Sequence, residues 1–232
     1  MREIKALTFD TGGTILDWHQ GISHAFAEVG QRHNLSADWH TLTNDYRRRS
    51  LQTMLSALAP RFNIDEVHRH TLDLVLKENG LDQFTAEDRD YIWRTWHNLK
   101  AWPDFPQAAR RLRQKYLVVS FTILSTSLVI DVSRKNGLEW DCIINGEMLG
   151  IYKIQPEAYR SVARLLALPP ESILMVACHN FDLMAAREQG YKSAFVHRPD
   201  EWGPSGPPDP VPNPAHDYAV QTFDELATRL GC

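Results

Sequence analysis

Residues 4–14 read Ile4-Lys5-Ala6-Leu7-Thr8-Phe9-Asp10-Thr11-Gly12-Gly13-Thr14, a nearly unbroken apolar run that ends on a carboxylate and passes at once into a glycine-containing turn. A short apolar run bounded by turn residues predicts a buried strand entering a loop, with Asp10 at its carboxyl end. From Trp18 to Leu99 the pattern changes. Apolar residues recur at helical spacing, as in Ile22, Phe26, Val29 and in Tyr91, Ile92, Trp96, Leu99, and no strand is predicted. Beyond Trp102-Pro103 helix and strand alternate, with helices at 105–115, 127–136, 156–166, 181–189 and 222–229 and strands at 117–124, 142–144, 173–177 and 193–196. Such alternation predicts right-handed crossovers and a parallel sheet covered on both faces. The fold class is therefore α/β, with a parallel sheet core made of residues 1–15 and 100–232 and an all-helical insertion at 16–99. Open α/β sheets bind ligands at the carboxyl ends of their strands, so the insertion is expected to cap the site. The stretch 198–217, with seven prolines and two glycines, predicts a stiff surface loop.

Composition removes several classes of function. A length of 232 residues suits one large domain or a core carrying an inserted subdomain. The chain has 25 basic and 29 acidic side chains, scattered along its length, which argues against a nucleic-acid partner. No stretch approaches the roughly 20 apolar residues of a membrane helix. The start Met1-Arg2-Glu3-Ile4-Lys5 lacks the apolar run of a signal peptide, so no membrane partner and a cytoplasmic location are expected. Three cysteines, Cys142, Cys178 and Cys232, are too few and too odd in number for a disulfide framework, which fits a reducing compartment.

Four places in the chain bear chemistry. Asp10 is placed either to act as a nucleophile, forming a covalent ester, or to cap the turn. The strand 117–124 ends in Ser125-Thr126-Ser127, whose hydroxyls and backbone N–H groups open a helix and suit an anion. Lys153 lies outside any amphipathic helix and just before one. The strand 173–177 runs into Cys178-His179-Asn180-Phe181-Asp182, which brings a further carboxylate to a helix start.

Taken in order, strand-Asp10-x-x-Gly13-Thr14, strand-Ser125, isolated Lys153 and strand-x-x-x-x-Asp182 resemble the four motifs of the haloacid dehalogenase (HAD) superfamily. The resemblance covers the whole core and implies a Rossmann-like, HAD-like sheet with its cap inserted after the first strand. Phosphatases of that superfamily carry a second Asp two residues after the nucleophile and further acids that hold Mg²⁺. Here those positions are Gly12 and Cys178, which weakens the case for a metal and removes the leaving-group acid. The same departures are similar to the type II (S)-2-haloacid dehalogenases, which need no metal or cofactor, and the Lys153-x-x-x-x-x-Tyr159 spacing agrees with them.

That resemblance implies that Asp10 displaces a leaving group, halide first, from C2 of a small carboxylate substrate, and that water then hydrolyses the ester. Lys153 would compensate the charge on Asp10, Ser125 and Thr14 would hold the substrate carboxylate, and Asp182 would orient Lys153 or activate water. Thr126, Tyr159 and Asn180 join the expected substrate contacts. Trp18 is a candidate pocket wall. Of the triplet Arg47-Arg48-Arg49, where the family places an essential cation, at most one or two can face the cleft, and Arg49 is selected. Thr126-Ser127 replaces the family's halide-binding Asn-Gly, and His179 stands where an amide is expected, able to donate a proton or position water. Cys178 reads as a small buried wall. These departures admit rivals: a C–N hydrolase opening azetidine-2-carboxylate, a phosphatase, or a silent carboxylate-binding protein. A homodimer is compatible with a tryptophan-containing cap.

Overall fold

A computed structural model describes residues 3–56 and 64–232, so positions 1–2 of the core and 57–63 of the helical stretch lie outside the described residues. The first strand, β1 (Ala6–Phe9), is buried at all four positions. After Asp10 a two-residue strand, β2 (Leu16–Asp17), leads into four helices: α1 (Trp18–Arg32), α2 (Trp39–Ser56), α3 (Ile64–Glu78) and α4 (Ala86–Arg94). The chain returns through β3 (Lys100–Ala101), which pairs antiparallel with β2. The entry and exit of the helical block are thus tied together by a pair too short to carry a sequence signal.

The remainder alternates: α5 (Phe105–Arg113), β4 (Leu117–Thr122), α6 (Thr126–Asn136), β5 (Cys142–Asn145), the single turn α7 (Gly146–Leu149) and α8 (Pro156–Leu165). Then follow β6 (Ile173–Ala177), α9 (Asn180–Glu188), β7 (Lys192–Val196), β8 (Tyr218–Val220) and α10 (Phe223–Arg229). The sheet order is β5-β4-β1-β6-β7-β8, parallel throughout. From β1 the chain first builds outward through β4 and β5, then crosses to the other side for β6, β7 and β8. The switch leaves a crevice at the carboxyl ends of β1, β4 and β6, where Asp10, Ser125 and Cys178-His179 emerge.

Local chemistry sets the element ends. The Asp17 side chain accepts from Gln20 N and starts α1. Thr85 and Asp88 form a reciprocal capping box on α4. Ser125 caps α6, and Gly137 ends it in the left-handed region. One apolar cluster covers a face of the sheet with Phe9, Phe105 and Phe223 and runs on into Trp18, Phe26, Tyr46 and Trp96 of the helical block. The other face is filled by Phe121, Tyr159 and Met175 among others.

The stretch 198–217 is a loop lying mostly at the surface, as expected, but its first residues turn inward. Arg198 and Glu201 are buried, and the segment is pinned at both ends. Arg198 donates to Thr14 O at 2.9 Å and makes two bonds to Asp104 at 3.1 and 3.0 Å. Asn180 holds the far part, donating to Val211 O and accepting from Asn213 N and His216 Nε2, each at 2.9 Å. β8 follows directly and was hidden behind the prolines. No helix among the described residues is long and apolar enough to cross a membrane, and all three cysteines are free.

Candidate active site

Asp10 leaves the end of β1 with its carboxylate 90% shielded from solvent. The backbone turn after it brings Thr14 back, so that Thr14 Oγ1 donates to Asp10 Oδ2 at 2.8 Å while accepting from Cys178 N at 3.1 Å. His179 Nδ1 lies 3.2 Å from the same Oδ2. Asp10 Oδ1 faces Lys153 Nζ at 3.4 Å. Lys153 donates more closely, at 2.8 Å, to Asp182 Oδ2, and Asp182 Oδ1 accepts from the Tyr159 hydroxyl at 2.6 Å. Lys153 also lies 4.5 Å from the centre of the Phe121 ring.

Behind His179 stands Glu201, which the sequence reading missed. Its Oε1 is 3.0 Å from His179 Nε2 and accepts from Trp18 Nε1 at 3.1 Å. The turn at Gly13, φ +90°, is what lets Glu201 in: a Cβ on Gly13 would stand 2.0 Å from Glu201 Oε1. A buried imidazole with a carboxylate at each nitrogen donates through both, which makes it an imidazolium. Burial opposes that charge, while Glu201 and Asp10 favour it, and the His179 pKa is shifted upward. Glu201 is likewise opposed by burial, yet His179, Trp18 and Arg47 keep it ionised below the usual carboxylate range.

Burial works against the Asp10 charge too, but Lys153, His179 and Thr14 overcome it and its pKa is lowered. Asp182 moves the other way: burial and the nearby Asp10 charge raise its pKa against the pull of Lys153 and Tyr159. Two carboxylates sharing one lysine are thus driven apart, a pattern that separates a standing anion from a proton acceptor. Burial and Glu201 push the Cys178 thiol up to about 11, so it is a protonated wall. Donor atoms of Cys178, His179 and Glu201 lie within 4.8 Å of one another.

The cap contributes Arg47, not Arg49. Arg47 is 2% exposed, and its guanidinium lies beside the stacked Trp18 and Trp96 rings, 5.5 and 5.3 Å from their centres. It lines a small pocket with Asp10, Gly12, Lys153, His179 and Asp182, walled by Leu51, Ile123 and Phe181, with about 30 Å³ of free space. Arg47 Nε and Nη1 are buried and have no partner among the described residues. Arg49 points elsewhere because Asp45, one turn back, and Glu78 of α3 take it at 2.9 and 2.8 Å.

Several expected substrate contacts are engaged by the protein itself. The Ser125 hydroxyl donates to Asp65 Oδ2 of α3 at 2.7 Å and accepts from Leu128 N, so it joins the helical block to the core and caps α6. Thr126 donates to Glu147 and accepts from Asn145, outside the pocket lining. Asn180 is spent on the proline-rich loop, as described above. Tyr159 orients Asp182, Thr14 holds Asp10, and Trp18 backs Arg47 and Glu201 without lining the pocket.

Residues 4–190 match the haloacid dehalogenase-like hydrolase family. The (S)-2-haloacid dehalogenase H-109 of Pseudomonas putida is 25% identical over 205 residues, covering 85% of this chain and 88% of that protein. The defluorinating L-2-haloacid dehalogenase Rha0230 superposes with a TM-score of 0.92 at 34% identity, covering 100% of this chain and 96% of that one. The L-2-haloacid dehalogenase PA0810 superposes at 0.89 with 31% identity over 98% and 100% of the two chains. With the inserted helices, the parallel core and the Asp10–Lys153–Asp182 constellation in place, the chain belongs to the haloacid dehalogenase-like hydrolases, in their (S)-2-haloacid dehalogenase branch.

Proposed function

We propose that the protein hydrolyses short 2-haloacids to 2-hydroxy acids through an ester on Asp10, and that fluoride is among the halides it releases. The observation that carries this reading is Arg47: a buried cation with two unpartnered donor atoms, lining the same small pocket as the Asp10 carboxylate. In an in-line displacement the departing halide gains charge as the new bond forms, and donors without a prior partner are worth most at that moment. Fluoride accepts hydrogen bonds more strongly than the other halides, so a guanidinium suits it. The 34% identical relative described as defluorinating supports including it.

Asp10 Oδ2 already receives Thr14 and His179, whereas Oδ1 has only the longer contact with Lys153, so Oδ1 is the freer lone-pair donor and attacks C2. Lys153 keeps Asp10 ionised without binding it tightly. The free space beside Asp10 is small, about 30 Å³, which favours a compact acid. Opening an azetidine ring requires a proton on the departing nitrogen, and both His179 ring nitrogens face carboxylates instead.

The test is incubation of the protein with (S)-2-chloropropionate, (S)-2-fluoropropionate and azetidine-2-carboxylate, following halide and 2-hydroxy acid. Halide and hydroxy acid are expected in equal amounts from the first two substrates, and no ring opening from the third. In a single turnover in H₂¹⁸O, label is expected in the Asp10 carboxylate, and Asp10→Asn is expected to lose on the order of 10³-fold or more. Phosphate ester hydrolysis that depends on Mg²⁺, without halide release, would replace this reading with a phosphatase.

A further inference from the structure

His179 and Glu201 are not explained by the displacement step, because neither ring nitrogen points to a departing group. Both are committed: Nδ1 to Asp10 Oδ2 at 3.2 Å and Nε2 to Glu201 Oε1 at 3.0 Å. Resting on the ester mechanism proposed above, the geometry points to a second duty: His179, held by Glu201, forms with Thr14 an oxyanion site on Asp10 Oδ2 for hydrolysis of the ester. His179 is then a catalytic residue, and Glu201 a positioning residue supplied by the proline-rich loop.

Once Oδ1 has bonded to C2 it is the ester oxygen, and Oδ2 becomes the carbonyl oxygen. Water attacks the Asp10 carbonyl carbon, its proton passes to the Asp182 carboxylate, and negative charge collects on Oδ2. That atom already faces two donors, the Thr14 hydroxyl at 2.8 Å and the His179 ring N–H at 3.2 Å. As the tetrahedral species collapses, the bond from the carbonyl carbon to Oδ1 breaks, and the alkoxide of the 2-hydroxy acid takes the proton from Asp182. The Asp10 carboxyl, now carrying the water oxygen, loses its proton to solvent. Halide departs in the first step, so the sum is haloacid plus water giving hydroxy acid, halide and one proton.

Glu201 matters because a neutral imidazole carries one N–H. Were that proton on Nε2, a lone pair would face Oδ2 and oppose the developing charge. In the ester the Asp10 charge is gone, so the Glu201 carboxylate at Nε2 is the counter-charge that favours the doubly protonated ring directed at Oδ2. The supports of Glu201 are rigid: Trp18 Nε1 donates to it, Arg198 anchors its turn to Thr14 O and Asp104, and Trp202 packs on Trp18 at 4.9 Å. Other charged or titratable groups around the ring are Cys178, whose sulfur is 3.4 Å from Nε2, Arg47 acting on Glu201 and Asp10, and Lys153 beyond Asp10. Phe181 stacks on the ring at 5.4 Å.

The experiment is rapid-quench kinetics of full-length Glu201→Gln with (S)-2-chloropropionate, reading the halide burst, the mass of the intact protein and the pH profile. Hydrolysis is expected to slow about tenfold more than first-turnover halide release, so that protein carrying the ester accumulates. The alkaline limb of the hydrolysis profile is expected to move to lower pH, since His179 loses its counter-charge. Should Glu201→Gln fail to fold, His179→Ala asks the same question, with hydrolysis expected to fall on the order of 10²-fold and the ester again accumulating. Undiminished hydrolysis with an unmoved pH limb, or equal slowing of both steps, overturns the inference and leaves the dehalogenase reading standing. A wild-type protein that releases no halide overturns both.

Discussion

Gly12 illustrates how one residue fixes the chemistry of its neighbour. A Cβ at position 12 would stand 3.3 Å from Arg47 Nη2, so the guanidinium rests where a side chain would otherwise begin. An acid there would take the cation that an incoming anion needs. Arg47→Lys, which exchanges a planar fork for a point charge, is expected to lower kcat/KM for (S)-2-chloropropionate about 10–100-fold in steady-state assays. Arg49→Ala is expected to leave kcat/KM within a factor of two, and, because its ion pairs are solvent-screened, stability within about 0.5 kcal/mol by denaturant titration. Sequence alone did not separate the two arginines. The apolar positions Leu42, Tyr46 and Met54 set a mean direction on α2 that excludes Arg48 but leaves Arg47 and Arg49 about 70–90° to either side. The buried face also carries Thr43, Asn44 and Ser50, which hydropathy does not mark. The usable signal was Asp45, one turn before Arg49 and able to hold it at the surface. Asp10, Lys153 and Asp182 were legible because each follows or precedes an element with a clear apolar pattern. Glu201 was not, lying among prolines with no periodicity to give it a direction.

At the level of elements, the helical block is held together internally by aromatic and polar contacts. On α3 the His68 ring stacks on Trp96 at 4.0 Å, and its backbone oxygen accepts from the Tyr46 hydroxyl. Neither His68 ring nitrogen has a partner among the described residues. Burial, reinforced by Arg47, lowers its pKa well below the ordinary value of 6.5. For a base with a depressed folded pKa, the unfolded chain takes the proton first. His68 therefore subtracts stability as pH falls below about 6.5, and the loss continues until the folded pKa is reached. His68→Phe is expected to lose less Tm than wild type between pH 7 and pH 5 in thermal unfolding, since this penalty is gone. The alternating helices and strands from Phe105 to Val196 were readable from period alone, with ends shifted by one or two residues where capping and fraying decide. Elements of two or three residues, β2, β3 and β8, were not, because no period can be established over so few positions.

For the molecule as a whole, the formal charge of −4 offers no long-range attraction to an anionic substrate. Attraction must come from Arg47 and Lys153, 2% and 4% exposed, where mobile ions barely reach. The KM for (S)-2-chloropropionate is therefore expected to change less than about threefold over a tenfold rise in ionic strength, whereas a site relying on surface charge would weaken steadily. The position of β1 has a further consequence, for synthesis. It is the first strand to be made and lies between β4 and β6, so neither hydrogen-bonding edge can close until at least residue 122 has been added. At about 5–20 residues per second, the nascent chain carries an unpaired, apolar segment for on the order of ten seconds. Asp10 is thus translated before either of the strands that flank β1. Glu201 comes 191 positions later, so the loop that supports His179 is the last part of the site to be made.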